Sequence, residues 1–569
     1  MITTKLCNNN DREDPIFLDD MIYEILQFLD TKTILQICMK ISRQWRQVSL
    51  KIRLSLSFYW DQDEDNSYLL SFVCKTVHDG SKLAQSIATS ENLQNVTWLD
   101  LSHNEIDLTG VEYIANSGNL RNLASLTLKF NFISSTGVEL ISNSEFLQNL
   151  TLLNLASNTI GSEGAKFIST SESLKNLTSL NLSFTEIGIN GTEYIANSDH
   201  MKNLTFLDLS GNEIGSEGAK YIANSQHLRK LTSLVLDSCN IGCEGTIYLS
   251  NSPNLEDLTS LDLGYNDIGI AGVESISKSI YLKNLTSLLL SSNELEGAAF
   301  EYIANSERLR NLTKLDISFT KIGSTTGIRH LVNSEILQKL VSLILSYSEI
   351  DSEGAKLIAN SEKFKNLTVL DLMENYIEAE GTKFIANSHH MKNLTLLDLW
   401  SNRIGIEGAK FIANSENLNQ LTSLILYDNE IGSEGTLLLA NSKTLKNLRY
   451  LDLSSNEICS KGVSYISQSN ILKKLTFLDL SFNEIGSEGV ELIANSHNMK
   501  NLMTLNLYSS RIGPKAAKFI TSSENFENLR YLDLSSNTIG KEGVDIISNS
   551  ALAKQLVFLD LSENTNNQK

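Results

Sequence analysis

Ten aspartates stand in one recurring setting, between the aliphatic residues of a repeated Leu-x-Leu or Leu-x-Ile: Asp100, Asp208, Asp262, Asp316, Asp371, Asp398, Asp452, Asp479, Asp533 and Asp560. Asn154, Asn181, Asn506 and Thr127 continue the series, and Val235, Leu289, Ile344 and Ile425 interrupt it. If Leu-x-Leu is a short strand, the residues between the leucines form a column spaced about 5 Å apart. Carboxylates at that spacing repel each other, and a basic partner would relieve them. A structural use is equally open, with each Asp bonded to a nearby Ser or Thr. Two positions beyond the column most copies carry Ser, but three successive copies carry Met373, Trp400 and Tyr427, with Tyr508 further along. The next position holds Tyr347, Glu374 and Asp428. Exposed Trp and Tyr surrounded by polar groups are the usual anatomy of a protein-binding hot spot. The candidate partner-binding set is therefore Tyr347, Asp371, Met373, Glu374, Asp398, Trp400, Tyr427 and Asp428. A second aromatic group, Tyr450, Phe477, Tyr531 and Phe558, precedes the strand core near the C-terminus, where large side chains can also simply cover one another.

Catalytic constellations are missing. His200, His227, His389, His390 and His497 fall in polar turns, and no GxxxxGK[ST], HExxH or GxSxG occurs. The Gly-Ser-Glu-Gly segments lack the lysine of a phosphate loop. Cys7, Cys38, Cys74, Cys239, Cys243 and Cys459 have no framework spacing, and no histidine completes a zinc site beside Cys239 and Cys243. No enzymatic activity, cofactor or metal is expected. A net charge of −20, from 67 acidic and 47 basic residues, repels nucleic acid and anionic lipid and favours a basic protein partner. The opening residues lack a secretory apolar stretch, and no apolar run approaches the ~20 residues of a membrane span. A cytoplasmic or nuclear location with reduced thiols is expected. Asn-Leu-Thr at Asn149, Asn176, Asn203, Asn284, Asn311, Asn366 and Asn393 accordingly marks repeat positions rather than glycan acceptors.

These residues are positioned by a repeat. One register point recurs at Asn104, Asn131, Asn158, Thr185, Asn212, Cys239, Asn266, Asn293, Thr320, Ser348, Asn375, Asn402, Asn429, Asn456, Asn483, Ser510, Asn537 and Asn564. That makes eighteen units, stepping by 27 residues except for a single step of 28 in "IGSTTGIRHL". The unit approximates LxxLxLSxNxIGxEGxxxIANSxxLxN. Its first half alternates with period two, as a strand with inward leucines does. The register Asn can bond backbone groups of neighbouring turns, and Thr, Ser or Cys replaces it in five units. Ile and the later Ile-Ala give the inward face of a helix. Glycine fills the early-helix position in fifteen of seventeen complete units, Ala299 and Ala516 filling the others. A residue that small is expected to let helix and strand layers approach closely. The motif resembles the leucine-rich repeat family, in the longer subtype of ribonuclease-inhibitor-like proteins, over residues 96–569. The resemblance implies an α/β solenoid, a horseshoe with a parallel strand ladder inside and helices outside, stabilised by stacking of neighbours.

The head differs. Residues 12–52 place Met21, Ile22, Ile25, Leu26, Leu29, Ile34, Ile37, Ile41 and Trp45 at helical spacing, with Asp30-Thr31 suited to end one helix and cap the next. By themselves they make a small all-α module, a helical cap included. The run Phe17-Leu18-Asp19-Asp20, Glu24-Ile25-Leu26, Leu29-Asp30 and Ile41-Ser42-Arg43-Gln44-Trp45-Arg46 resembles an F-box. Leu18 stands where the usual proline would be and Pro15 comes three residues early, which loosens the first turn. The resemblance implies docking on a Skp-type adaptor, and through it a cullin, by Leu18, Ile22, Ile25, Leu29, Ile34 and Trp45. Residues 1–11 are expected as a flexible terminus and 53–95 as a linker and degenerate opening repeat shielding the first strand edge. The last unit stops before its helix, so no conventional cap is expected there. Taken together, the expected function is that of a non-enzymatic substrate receptor of a Skp–cullin–F-box ubiquitin ligase. A free-standing solenoid that regulates an enzyme such as a nuclease or small GTPase is the alternative.

Overall fold

The computed structural model describes residues 54–57 and 80–565. The head expected over 12–52, with Leu18, Ile22, Ile25, Leu29, Ile34 and Trp45, lies outside the described residues, as do 1–11. The described residues divide into two compact units, those up to 213 with 225–231, and 214–224 with those from 232 onward. In the first, the described strands are Leu54–Ser57, Val96–Asp100, Ser125–Thr127, Leu152–Asn154, Ser179–Asn181 and Phe206–Asp208, paired in parallel and in chain order. The opening repeat thus has its strand at Leu54–Ser57 and its helix at Gly80–Ala88. In the second unit, thirteen strands run in parallel from Ser233–Val235 to Phe558–Asp560. Each unit is a run of parallel strands with one helix per repeat, the α/β solenoid architecture expected.

One repeat shows why the residues fold this way. In the strand Leu396–Asp398, Leu397 points inward and is fully buried, as is Leu399 just beyond it. The helix Gly405–Asn414 returns the chain and buries Ala409, Ile412 and Ala413 against that leucine layer. Each fully buried aliphatic side chain contributes roughly 1.5–3 kcal/mol, and the same positions are filled in every repeat. Between strand and helix, the register Asn ties repeats together. Asn429 Oδ1 accepts the backbone N–H of Asn402 at 3.0 Å and of Ile404 at 3.2 Å. Its Nδ2 donates to the carbonyls of Leu399 at 2.7 Å and Tyr427 at 2.9 Å. Where Ser510 replaces Asn, the hydroxyl keeps the donor half, bonding Leu480 and Tyr508 carbonyls at 3.1 Å each. A second rung comes from the Ser of Ala-Asn-Ser: Ser415 Oγ donates at 2.5 Å to the Ala386 carbonyl, at the end of the preceding repeat's helix. The Asn-Leu-Thr positions form a third, Asn393 Nδ2 donating to the Lys365 carbonyl at 2.8 Å and Thr395 Oγ1 to Thr368 at 3.1 Å.

The two glycines of the unit have different jobs. Gly405 has φ +59° with open space around its missing side chain, so its need is conformational. At Gly408 a Cβ would fall 2.6 Å from Ile404 Cβ. At Gly191, Gly245, Gly381 and Gly435 it would also meet the alanine of the preceding repeat's helix at 3.0–3.2 Å. The expected crowding between helix and strand layers is therefore corrected: this glycine makes room for its own helix-start Ile and for the neighbouring helix. The 28-residue step is absorbed where expected, as a π-helical turn at Gly323–Gly327 that leads into Ile328–Val332.

Candidate functional site

Within each strand triplet the first and third side chains share the face opposite the inward leucine. The aspartate column lies on that face, in register, so that Asp371 pairs with Asp398 across adjacent strands. In six copies the structural use holds. Asp100, Asp208, Asp316, Asp452, Asp479 and Asp533 each accept, on one oxygen, the backbone N–H and the hydroxyl of the Ser two residues on. The second oxygen of Asp479 takes Asn506 Nδ2 at 2.8 Å, and that of Asp208 takes Asn181 Nδ2 at 2.9 Å. A carboxylate so held is an internal brace for the strand end.

Asp371 and Asp398 are built differently, because the residue two positions on is no longer Ser. Asp371 Oδ1 accepts the Met373 N–H at 3.0 Å and borrows the Ser346 hydroxyl of the preceding repeat at 2.8 Å. Among the described residues Asp398 Oδ1 accepts only the Trp400 N–H, at 2.9 Å. On either side the column turns apolar: Ile344 pairs with Asp371 and Ile425 with Asp398. Asp398 is only 8% exposed, and among the described residues no cation pairs with either carboxylate. Burial, then the neighbouring Asp371 charge, pushes the Asp398 carboxyl up to about 8, and burial raises Asp371. Asp452, Asp479 and Asp533 are raised by burial as well, against the pull of their serine bonds.

Aromatic rings border the pair. Trp400 and Tyr427, both half-buried, meet edge to face with centroids 4.7 Å apart. Asp428 is exposed and takes the Ser401 hydroxyl at 3.0 Å. Glu374 lies beside Tyr347, whose hydroxyl is raised first by burial and then by that carboxylate. The structure thus brings Asp371, Met373, Asp398, Trp400 and Tyr427 onto one strand face, with Tyr347, Glu374 and Asp428 at the corner where the strands end. Tyr450 and Phe477 stack at 3.9 Å on the same strand face, and Tyr531 faces Phe558 at 6.3 Å.

Sequence reasoning missed part of the corner. The position before the register Asn holds Tyr347, and it also holds Tyr265, Phe319 and Phe482 in this unit and Phe130 and Phe184 in the other. All adopt left-handed backbone, φ +50° to +54°, which bulky side chains rarely do. Phe319 stacks on Tyr347 at 4.3 Å and approaches Tyr265 at 6.3 Å, and Phe184 is 56% exposed. Scanning this column for departures from Ser would have found them. The helix face is different in kind: Lys220 and Lys356, for example, each pair with the Glu three residues before, at 3.0 Å and 2.8 Å, and lie over Tyr248 and Phe384 of the next helix. Among the described residues no helix is long and apolar enough to cross a membrane, and no cluster of three or more His, Cys, Asp or Glu could hold a metal.

A family pattern described as Leucine Rich repeat matches residues 92–115, 146–169, 173–196, 200–223, 227–250, 254–277, 308–325, 337–359, 390–413, 444–467, 472–494 and 527–547. No curated protein matches the sequence. Solved structures with which the chain aligns include an internalin (inlF) from Listeria monocytogenes, at 19% identity over 86% of this chain and 95% of that one, with a TM-score of 0.28. Another is the complex of Rad7 and Elc1 in yeast, at 18% identity over 62% of this chain and 90% of that one, with a TM-score of 0.42.

Proposed function

We propose that this leucine-rich-repeat chain is a non-catalytic receptor that binds a protein partner on its strand face, and that residues 12–52 tie it to a Skp–cullin–F-box ubiquitin ligase. The observation that carries the binding half is the Trp400–Tyr427 pair beside the buried Asp398 and the half-buried Asp371, which pair with no cation among the described residues. Large rings bordered by polar groups give a partner both apolar area and orientation, and the strands beneath hold them in a fixed register. The ligase half rests on the F-box-like residues of the head. In that role the repeats present a bound protein, and the transfer chemistry belongs to other subunits. The chain would work in the cytoplasm or nucleus.

Co-purification tests both halves. The intact chain should capture a Skp-type adaptor, and Ile25→Asp with Trp45→Ala should abolish that capture. Trp400→Ala with Tyr427→Ala should leave adaptor capture intact while reducing a crosslinked protein partner at least tenfold. An intact chain that captures no adaptor removes the ligase half and leaves a free-standing binding scaffold. A crosslinked partner indifferent to both aromatic substitutions removes the strand-face site.

A further inference from the structure

We propose that the partner places an arginine side chain against Asp371 and Asp398, with the guanidinium facing the carboxylates and its flat surface meeting Trp400 and Tyr427. The proposal rests on the reading of the strand face as a protein-docking surface and names what that surface recognises. Four observations carry it. Asp398 is about nine-tenths buried, and its one hydrogen bond among the described residues, from the Trp400 N–H, occupies Oδ1. Hydrogen bonds likewise reach only Oδ1 of Asp371. Thus, among the described residues, the Oδ2 atoms of two acids on adjacent strands have no protein donor such as Asn506 gives Asp479 and Asn181 gives Asp208, and neither oxygen is sealed from solvent. In the ladder Ile344 and Ile425 flank the pair, so the next acids of the column, Asp316 and Asp452, stand one strand further out on either side and still raise the two carboxyls.

The choice of cation follows from chemistry. A largely buried carboxylate with few protein donors is poorly solvated, and a charged donor supplied from outside strengthens its bonding at the oxygen still open to solvent. Two carboxylates one strand apart match a planar fork of donors better than a single ammonium. Guanidinium is more weakly hydrated than ammonium and stacks on aromatic rings, which suits a half-buried site bordered by Trp400 and Tyr427. A hard divalent cation wants six or more oxygens, and isoleucines occupy the flanking positions. The chain's charge of −20 draws such a partner in from solution.

The test uses the full chain and labelled hexaarginine, hexalysine and hexaglutamate peptides, with fluorescence anisotropy at about physiological salt and pH 8.5. Hexaarginine should bind, hexalysine more weakly, and hexaglutamate not at all. Asp398→Asn should weaken hexaarginine about tenfold or more, while Asp100→Asn, a serine-braced member of the same column, should change it less than twofold. Asparagine fits this column, as Asn154, Asn181 and Asn506 show, so the variant should fold, and an unchanged circular dichroism melt at pH 5 would verify it. Equal loss from the two Asp→Asn variants would mean general acidity and overturn the proposal, as would equal binding of hexalysine or no binding of hexaarginine. If the crosslinked partner is lost with Trp400→Ala but kept with Asp398→Asn, the docking surface stands and the arginine does not. If it is kept with both, the docking surface itself fails.

Discussion

Asp398 and Asp479 are the same residue at the same repeat position, and their surroundings make them different groups. Both are 8% exposed, but Asp479 has a serine, its backbone N–H and an asparagine, whereas Asp398 has one N–H. Its carboxyl is pushed up to about 8, chiefly by burial, and that of Asp479 to about 7 despite the pull of its donors, against an ordinary unfolded value near 4. A raised carboxyl binds more protons folded than unfolded, so its contribution to stability is present at low pH and is lost as pH climbs from about 4 to about 8. Asp398→Asn removes that loss while keeping the acceptor for the Trp400 N–H, as Asn506 Oδ1 does for Tyr508 at 3.0 Å. The variant should match the parent near pH 4 and exceed it by on the order of a few kcal/mol above pH 8. Urea unfolding at pH 4.5, 6.5 and 8.5 measures the divergence, and parallel profiles would show that Asp398 ionises like an exposed acid. This distinction was half legible in sequence. Trp400 in place of serine announced the missing hydroxyl, and Ile344 and Ile425 announced the break in the column. The borrowed Ser346 hydroxyl, which separates Asp371 from Asp398, depends on distances between strands that letters do not carry.

Each helix begins under a constraint that the consensus shows but does not explain. Glycine at the early-helix position is dictated by the branched Ile four residues before it, whose Cβ would lie 2.6 Å from a new methyl at Gly408. The two alanine exceptions fit this account. Ala299 follows Leu295, which is unbranched at Cβ, and its helix starts at Gly297 from an extended Glu296. Ala516 follows Ile512, but Pro514 and Lys515 delay its helix to Ala516 itself. Gly408→Ala should therefore cost about 1–3 kcal/mol, the range for overpacking a filled site. Ile404→Leu should recover part of it, giving a favourable coupling of at least about 0.5 kcal/mol in a double-mutant cycle. Urea unfolding of the four proteins gives the cycle, and strict additivity would show that the glycine answers to the neighbouring helix alone. The fifteen glycines announced that something small was needed. Which wall required it was not written in any single repeat, because the crowding atoms come from the same helix start and from the repeat before.

Across the whole chain, the step of 27 residues was enough to place strands, corners and helices, because each repeat solves the same packing problem with the same letters. That regularity also hides the candidate site, since a consensus Asp looks alike whether it braces a strand end or awaits a cation. The head at 12–52 carries a resemblance and lies outside the described residues, so its role is decided by binding experiments. A repeat array has a further physical consequence. Within each unit the described strands pair with their sequence neighbours, and the Asn, Ser and Thr rungs each span a single repeat, so stability there is a sum of nearest-neighbour terms. A lesion should then stay near its origin. Leu397→Ala, which empties a fully buried position, should cost about 2–5 kcal/mol. The loss should appear as faster amide hydrogen exchange in the strands from Val369–Asp371 to Tyr450–Asp452 and in the helices between them. Exchange in Ser125–Thr127 and Leu152–Asn154 should match the parent. Hydrogen exchange read by mass spectrometry, well below the melting temperature, resolves the two patterns. Uniform acceleration along the chain would mean that the repeats unfold as one cooperative body, and the binding face could then be weakened from any point in the array.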